Sequence, residues 1–226
     1  MLPYDLQLPE QPEDGAPLVV LLHGRGSDRH DLARLHAYLP AGTMLVTPEA
    51  PFPAAPWGYG PGSAWYRLES EGVPDEATFG ESLDALRSFL SELSGVLPAE
   101  PGSLTLGGFS QGGTTSIAYA LVHPGSVSGV VNLSGFVPVH PLVRVTAGTV
   151  AGTRFFWGHG TADEAIPFAL AERGRRALTA AGADLTAHDY PMGHSVSPDE
   201  LGDLSAWLLE LSRSPAGRRA ARGDIP

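Results

Sequence analysis

A serine flanked by glycines, Ser110 in the run Gly108-Phe-Ser-Gln-Gly112, has the layout of a nucleophile elbow. A serine hydroxyl becomes a useful nucleophile only when a base takes its proton, so it must stand where an imidazole and two N–H donors can converge. A strained turn between a strand and a helix presents the side chain in this way, and glycines let the backbone fold back tightly. Because a chain with 28 glycines can match G-x-S-x-G by chance in an ordinary turn, the interpretation depends on its context.

Two further residues have the types and positions that a serine nucleophile requires. Asp163, in the run Gly-His-Gly-Thr-Ala-Asp, comes shortly after an apolar stretch and could orient an imidazole and stabilise its charged form. His194 follows the last such stretch and could act as the base. Taken singly, Asp163 could be a turn former or a helix cap, and His194 a solvated loop histidine. The chain order serine, aspartate, histidine is that of an α/β-hydrolase, and it favours the catalytic interpretation.

Other residues compete less well for these two roles. His159 precedes the candidate acid in a Gly-His-Gly turn, so its use as the base would reverse the order of the partners. Glu164 and Asp189 are the alternatives to Asp163 as the acid. Glu164 adjoins it, and Asp189 falls inside the strand-like run that leads to His194. The remaining histidines lack the required order or position and are predicted to be structural or on the surface.

Stabilising the oxyanion of the transition state requires two backbone N–H donors near the serine. The residue after the nucleophile, Gln111, supplies the first. The second is predicted to be the amide of Arg25, in the glycine-rich run that follows the first apolar stretch. The same run could be a simple connection, capped by Ser27 or Asp28 ahead of a helix over residues 30–38. The two interpretations are compatible.

Short apolar runs alternate with helical patterns along the chain. The runs predict buried strands, and the helical patterns carry an apolar residue every three or four positions. This alternation predicts an α/β fold, with a largely parallel central sheet, helices on both faces and a site beyond the carboxyl ends of the strands. One domain over residues 1–212 is expected, followed by a disordered tail over residues 213–226. The strand-like runs are 18–22, 44–46, 104–106, 130–133, 155–157 and 185–190, and the helical patterns are 79–97, 114–121 and 201–211.

Composition excludes several classes of function. The chain of 226 residues has no cysteine, which removes thiol nucleophiles, disulfides and thiolate zinc sites. All 14 basic residues are arginine, so lysine Schiff-base chemistry and a P-loop lysine are excluded. The net charge of −11 argues against a nucleic acid or an anionic membrane as a partner. Since the sequence has neither a membrane-spanning run nor a signal peptide, a cytoplasmic protein is expected.

Substrate preference must come from the loops, because the stretch between Ser134 and Asp163 is too short for a large helical cap. The long connection over residues 48–74 is rich in proline and aromatic residues, which could line a groove for the acyl or the alcohol group. We predict substrate contacts for Trp65, Phe136 and Ile166. For Trp65 an equally good alternative is that it fixes the loop to the body of the protein.

Taken together, these segments give a chain that resembles the phospholipase/carboxylesterase family of small α/β-hydrolases, which includes the acyl-protein thioesterases. The resemblance covers residues 18–211. Arg25 departs from the family pattern, which often has an apolar residue at this position. Its guanidinium could narrow the acyl pocket, attract a carboxylate or simply face solvent. The resemblance is carried by His23-Gly24-x-Gly26, Ala64-Trp65-Tyr66, Gly108-Phe109-Ser110-Gln111-Gly112, His159-Gly-Thr-x-Asp163-x-x-Ile-Pro167 and Gly193-His194.

The family implies hydrolysis of esters or thioesters through an acyl-serine, without a metal or cofactor. Carried over by position, Ser110 is the nucleophile, His194 the base and then the acid, and Asp163 its orienting carboxylate. The amides of Arg25 and Gln111 form the oxyanion hole. Cleavage of small or medium carboxylic esters is therefore expected, with a small-molecule ester as partner and a homodimer left open. The alternatives are thioesterase or lysophospholipase activity, acyl transfer to an acceptor other than water, and a non-catalytic ligand-binding module.

Overall fold

Seven strands form one sheet in the structure, a computed structural model that describes residues 1–213. The order of the strands across the sheet is β1-β3-β2-β4-β5-β6-β7. β1 is antiparallel to β3, and all other neighbouring pairs are parallel, which confirms the largely parallel sheet predicted from the sequence. The strands are β1 (Tyr4–Gln7), β2 (Pro17–Leu22), β3 (Met44–Pro48), β4 (Ser103–Phe109), β5 (Gly129–Leu133), β6 (Arg154–Gly160) and β7 (Asp184–Tyr190).

The described residues form five α-helices, and those over residues 76–93, 111–122 and 198–213 fall on the predicted helical patterns. The five helices are α1 (Glu76–Leu93), α2 (Gln111–Val122), α3 (Ala147–Val150), α4 (Phe168–Ala180) and α5 (Pro198–Arg213). α1 begins after Asp75, whose carboxylate accepts a hydrogen bond from the amide of Thr78 at 3.0 Å. It ends at Leu93, and a short 3-10 turn (Ser94–Val96) follows where the apolar pattern suggested more helix. The tail predicted from residue 213 lies outside the described residues, apart from Arg213, which is the last residue of α5.

β2 illustrates why the sheet needs helices on both faces. Leu18, Val20 and Leu22 belong to the core cluster that α1, α2 and α4 complete, whereas Val19 and Leu21 belong to the cluster that α5 completes. Successive strand residues point to opposite faces, so a strand that is covered on both sides reads as a continuous apolar run. The predicted covering of both faces is confirmed.

Two segments differ from the sequence-based expectation. The helix predicted over residues 30–38 is only a 3-10 helix (Ala33–Tyr38). The carboxylate of Asp28 accepts a hydrogen bond from the amide of His30 at 2.8 Å, and this local bond favours a turn over a helix. The edge strand β1 was not predicted, because its residues are only partly buried and it is ordered by pairing with β3.

The loops leave the carboxyl edge of the sheet open. The segment between β5 and β6 contains only α3, a helix of four residues, in agreement with the absence of a large cap predicted there. The long connection after β3 folds into two small ribbons, which pair Phe52–Pro53 with Ser63–Ala64 and Leu68–Ser70 with Val73–Pro74. Among the helices of residues 1–213, none is long and apolar enough to span a membrane.

Candidate active site

Ser110 lies at the tight turn between β4 and α2. Its φ of 55° and ψ of −115° are backbone angles that residues other than glycine rarely adopt. A Cβ atom at Gly112 would lie 1.9 Å from the carbonyl oxygen of Leu22, and one at Gly108 would lie 2.4 Å from the same atom. Both positions therefore require glycine, and the strained turn between them exposes the serine at the carboxyl edge of the sheet.

Neighbouring strands bring Asp163 and His194 towards this edge. β6 and β7 pair in parallel, so that Gly160 at the end of one strand lies opposite Tyr190 at the end of the other. The amide of Thr161 then donates a hydrogen bond to the carbonyl of Tyr190 at 2.9 Å. The turn that carries Asp163 is thus tied to the loop that carries His194, although 31 residues separate them in the chain.

His194 bridges the other two predicted residues. Its Nε2 lies 2.8 Å from the Oγ of Ser110, and its Nδ1 lies 2.7 Å from the Oδ2 of Asp163. Since a carboxylate only accepts hydrogen bonds, Nδ1 carries the proton and Nε2 is available to take the serine proton. Phe109 packs against the imidazole with 4.7 Å between ring centroids and limits its movement. This is the geometry of a serine nucleophile, a base and an orienting acid.

The turn after β6 holds the carboxylate of Asp163 in place. Its Oδ1 accepts hydrogen bonds from the amides of Ala165 at 2.9 Å and Ile166 at 2.8 Å, which leaves Oδ2 for His194. The side chain is completely buried. A buried carboxylate is stable only when donors satisfy it, and here three donors do so.

The structure places the three rival residues away from these roles. His159 lies beside Asp163, with its Nε2 at 3.6 Å from the carboxylate and donating to a backbone carbonyl in the same turn. Burial lowers the pKa of His159, so the ring is neutral at neutral pH. Glu164 is exposed, and Asp189 forms an ion pair with Arg175. Among the described residues, none of the three rivals makes a hydrogen bond to Ser110.

The glycine-rich run after β2 lies against the serine. A Cβ atom at Gly24 would be 3.7 Å from the Cβ of Ser110. His23 fixes this run from beneath, because its Nε2 accepts a hydrogen bond from the amide of Ala50 at 3.1 Å. Its Nδ1 therefore carries the proton and donates to the carbonyl of Gly24 at 2.8 Å. Burial lowers the pKa of His23, which agrees with this neutral ring.

The two predicted oxyanion donors belong to residues beside Ser110. Arg25 and Gln111 line the same cleft as the serine. As the first residue of α2, Gln111 has an N–H group without an acceptor inside the helix. The N–H group of Arg25 makes no backbone hydrogen bond within residues 1–213. Both groups are available to an oxyanion formed at the serine.

Trp65 does not line the cleft, so the predicted substrate contact of this residue is wrong. Its side chain is fully buried, and its indole N–H donates to the carbonyl of His23 at 3.0 Å. Its amide donates to the side-chain oxygen of Gln111 at 2.9 Å, and the side-chain nitrogen of Gln111 donates to the carbonyl of Tyr66 at 2.7 Å. Trp65 therefore fixes the loop to the body of the protein, which was the alternative interpretation. Nothing in the local sequence indicates the bridging role of the Gln111 side chain.

The cleft beside the catalytic candidates has a volume of about 250 Å³. Phe136 and Ile166 line it, so both are placed to contact a substrate. Tyr66, Leu68 and Leu170 also line it and were not predicted. The Ala-Trp-Tyr motif could have pointed to Tyr66, whereas nothing in the local sequence distinguishes the two leucines from other apolar residues. Residues 1–213 hold no cluster of three or more His, Cys, Asp or Glu side chains that could bind a metal ion.

Comparison with known proteins identifies relatives over nearly the whole described chain. Residues 6–212 match the family model described as Phospholipase/Carboxylesterase. The chain is 28% identical to acyl-protein thioesterase 1 of Cryptococcus neoformans, over 85% of this chain and 91% of that protein. It is also 28% identical to a probable carboxylesterase of Oryza sativa subsp. japonica, over 84% of this chain and 76% of that protein.

A solved structure shows the same fold. The Bacillus cereus carboxylesterase superposes with a TM-score of 0.79 over 93% of this chain and 95% of that chain, at 22% sequence identity. The α/β-hydrolase fold predicted from the sequence is thereby confirmed.

Proposed function

Because the chain belongs to the phospholipase/carboxylesterase family, we propose that it cleaves carboxylic esters of small to medium acyl chains through an acyl-serine intermediate. At the coarser level, the protein is a serine hydrolase of the esterase and thioesterase family. The observation that carries the acyl-serine mechanism is the hydrogen-bonded series from Ser110 through His194 to Asp163, with distances of 2.8 Å and 2.7 Å.

In the acylation step, the Oγ of Ser110 attacks the ester carbonyl while Nε2 of His194 takes the hydroxyl proton. The carbonyl oxygen becomes an oxyanion, which accepts hydrogen bonds from the amides of Arg25 and Gln111. His194 then gives its proton to the leaving alcohol, and the acyl group remains on the serine. Asp163 stabilises the positive charge on the imidazole and keeps Nδ1 protonated throughout.

In the deacylation step, water takes the place of the alcohol. His194 removes a proton from the water, which attacks the acyl-serine carbonyl and forms a second oxyanion in the same place. Collapse of this intermediate releases the carboxylic acid and returns the proton to Ser110. The step needs no group beyond those already described.

The dimensions and lining of the cleft support small to medium acyl chains. Its volume of about 250 Å³ is below the range of roughly 300–1,000 Å³ that is usual for sites of drug-sized ligands. The side chains of Phe136, Ile166 and Leu170 give it an apolar wall. An acyl chain gains most of its binding energy by leaving water, so such a wall favours an apolar acyl segment of limited length.

Thioester hydrolysis is the second candidate, because several relatives carry the name acyl-protein thioesterase 1. The same three residues serve either reaction, since only the leaving group differs. A non-catalytic ligand-binding protein is the alternative from another class, and the complete set of nucleophile, base and acid argues against it.

The test is hydrolysis of p-nitrophenyl esters from acetate to palmitate by the wild type and by Ser110→Ala. We expect a short or medium optimum for the wild type and a loss of about 10⁶-fold in kcat for the variant, because the nucleophile is gone. Thioesters of the same acyl chains, measured in parallel, compare the two leaving groups directly.

Ser88→Ala is the matched control, since Ser88 is exposed on α1 and its hydroxyl only donates to the carbonyl of Asp84. It should keep full activity. Substantial turnover by a folded Ser110→Ala protein would refute the acyl-serine mechanism. A wild type that fails to form a covalent adduct with a fluorophosphonate probe at Ser110 would favour the non-catalytic alternative.

A further inference from the structure

Arg25 places a positive charge at the edge of the cleft. Its side chain is exposed and lines the cleft together with Ser110 and His194. Its backbone amide is also the proposed second donor of the oxyanion hole. The guanidinium is therefore tethered within one side-chain length of the point where the ester carbonyl reacts.

No carboxylate of residues 1–213 forms an ion pair with this charge. Within residues 1–213, no Asp or Glu oxygen lies within 4.0 Å of the guanidinium of Arg25. Two other arginines of the described chain, Arg29 and Arg67, are paired with the carboxylates of Asp5 and Asp75. In a protein with a net charge of −11, carboxylates are plentiful, so a cleft arginine without one is available to an anion from outside.

An aromatic ring holds the guanidinium in position. The Cζ of Arg25 lies 4.6 Å from the ring centroid of Tyr59. Tyr59 is fixed at two points. Its hydroxyl accepts a hydrogen bond from the amide of Leu68 at 2.9 Å, and its backbone amide donates to the carbonyl of Ala54 at 3.1 Å. Stacking uses the face of the guanidinium and leaves its N–H groups at the edge free to donate. A cation that is already held in place loses less entropy when it binds a ligand.

The other charge that lines this cleft is the exposed carboxylate of Glu71. It makes no ion pair with Arg25, and its negative charge opposes the approach of an anion. Arg67 and Glu69 line the adjoining hollow, where Arg67 is already paired with Asp75. An anionic group is therefore favoured at Arg25 itself rather than across the whole cleft.

From this arrangement we propose that the side chain of Arg25 is a specificity residue, which binds a carboxylate or phosphate group carried by the ester substrate. The proposal rests on the proposed esterase function and adds a substrate class to it. The apolar wall formed by Phe136 and Ile166 takes the uncharged part of the substrate, while Arg25 binds the charged end through charge-assisted hydrogen bonds.

The test compares esters that differ only in charge. On the acyl side, the pair is the mono-p-nitrophenyl ester of adipic acid and the corresponding ester of adipamic acid, whose amide is neutral. On the alcohol side, the pair is para-carboxyphenyl butyrate and para-carbamoylphenyl butyrate. Butyrylglycerol phosphate and butyrylglycerol form a third pair, which tests phosphate. The pairs show which side of the ester and which anion the arginine recognises.

The measured quantity is the ratio of kcat/KM for the charged ester to kcat/KM for its neutral partner. Changing Arg25 can reduce activity in general, because its amide serves the oxyanion hole. Such a loss lowers kcat/KM for both esters by the same factor and leaves the ratio unchanged. For at least one pair, we expect the wild type to prefer the charged ester by about tenfold, the effect of one charge-assisted contact at an exposed site. Arg25→Met should abolish the preference, Arg25→Lys should restore part of it, and Glu71→Gln should increase it.

Arg87→Met is the matched control, because Arg87 is an exposed arginine on α1 next to Asp84 and does not line the cleft. It should keep the wild-type ratio. If Arg25→Met proved too inactive to assay, the wild-type ratio should still fall as ionic strength rises from about 0.02 M to about 0.5 M.

Three results would overturn the proposal: a wild type without preference in any pair, an unchanged ratio in Arg25→Met, or a ratio indifferent to salt. Failure of the esterase function itself would look different, because the wild type would then hydrolyse neither member of any pair.

Discussion

Asp163 and Glu200 are two buried acidic side chains beside the same strand, β6, and their surroundings are opposite. The oxygens of Asp163 accept three hydrogen bonds, two from backbone amides and one from His194. Glu200 lies in the first turn of α5 and faces β6 at Gly158. Within the described residues, neither of its carboxyl oxygens has a partner at normal hydrogen-bond geometry.

This difference determines the charge that each site favours. Burial raises the pKa of Glu200 to about 7, and the backbone of Ser197 and the positive charge of Arg175 oppose the shift only in part. At Asp163, the turn that follows β6 supplies the donors that an anion needs. Burial alone therefore does not make a carboxylate functional. Of these two buried carboxylates, only Asp163 receives donors from the backbone next to it, and Asp163 is the one whose negative charge the mechanism needs.

For these two acidic residues, the largest expected effect is that of Asp163→Asn, which keeps the shape of the side chain and removes its charge. With its oxygen held by the amides of Ala165 and Ile166, asparagine turns its NH2 group towards Nδ1 of His194, where it can neither accept the imidazole proton nor stabilise the imidazolium, so kcat should fall by about 10⁴-fold. The melting temperature should change little, because the amide oxygen can still accept from the two backbone amides. Ester hydrolysis and thermal unfolding measure the two effects.

Asp189→Asn is the control for this prediction, since Asp189 pairs with Arg175 at a half-exposed position. It should keep most of the activity. If Asp163→Asn kept near-normal turnover, the acid role would pass to Glu164 or Asp189.

An intermediate effect is expected beside Glu200, for the substitution Gly158→Ala. A Cβ atom at this position would lie 1.9 Å from Oε1 and 2.7 Å from Cδ of Glu200, inside the core. We expect a loss of up to about 3 kcal/mol in the free energy of unfolding, since overpacking forces side chains and backbone to shift. Urea unfolding of the variant measures this loss.

A double-mutant cycle shows whether Glu200 is the cause. In a Glu200→Ala background, Gly158→Ala should cost much less, because the clashing group has been removed. Gly202→Ala in α5 is the control, since nothing lies within 4 Å of a Cβ there and the helix propensity of alanine should stabilise the protein slightly. Additive effects of Gly158→Ala and Glu200→Ala would contradict the contact.

The same comparison explains how much of the site the sequence could predict. Asp163 was predictable because its role depends on local features, namely a strand, a turn after it and the order of the three residues along the chain. The strands themselves were predictable because a parallel strand covered on both faces reads as an unbroken apolar run.

Glu200 and Trp65 were not predictable, because their environments depend on distant segments. Glu200 appears as an ordinary acidic residue in the first turn of a helix, and only the packing of α5 against β6 buries it. Trp65 is fixed by the carbonyl of His23 and the side chain of Gln111, which are 42 and 46 residues away in the chain. Composition and spacing do not reveal such contacts. From the sequence alone, an aromatic loop residue that lines a cleft cannot be distinguished from one that is buried beneath it.

The smallest expected effect is the pH-dependent gain in stability of Glu200→Gln. The pKa of this carboxyl is 4.5 in the absence of perturbation and about 7 in the folded protein. Between these values the folded protein holds a proton that the unfolded chain has lost, so stability decreases as pH rises from about 4.5 to about 7. Glutamine does not titrate, so this decrease should be absent from the variant.

Measured against the wild type, Glu200→Gln should therefore show nearly the same free energy of unfolding below pH 4.5 and be more stable by about 2 kcal/mol at pH 8. Glu81→Gln, which changes an exposed residue of α1, should show almost no difference at either pH. Because His194 and Asp163 keep all their partners in Glu200→Gln, ester hydrolysis at pH 8 should be unchanged. A stability difference that does not vary with pH would mean that Glu200 is ionised in the fold, and the contrast with Asp163 would then lie in packing rather than in charge.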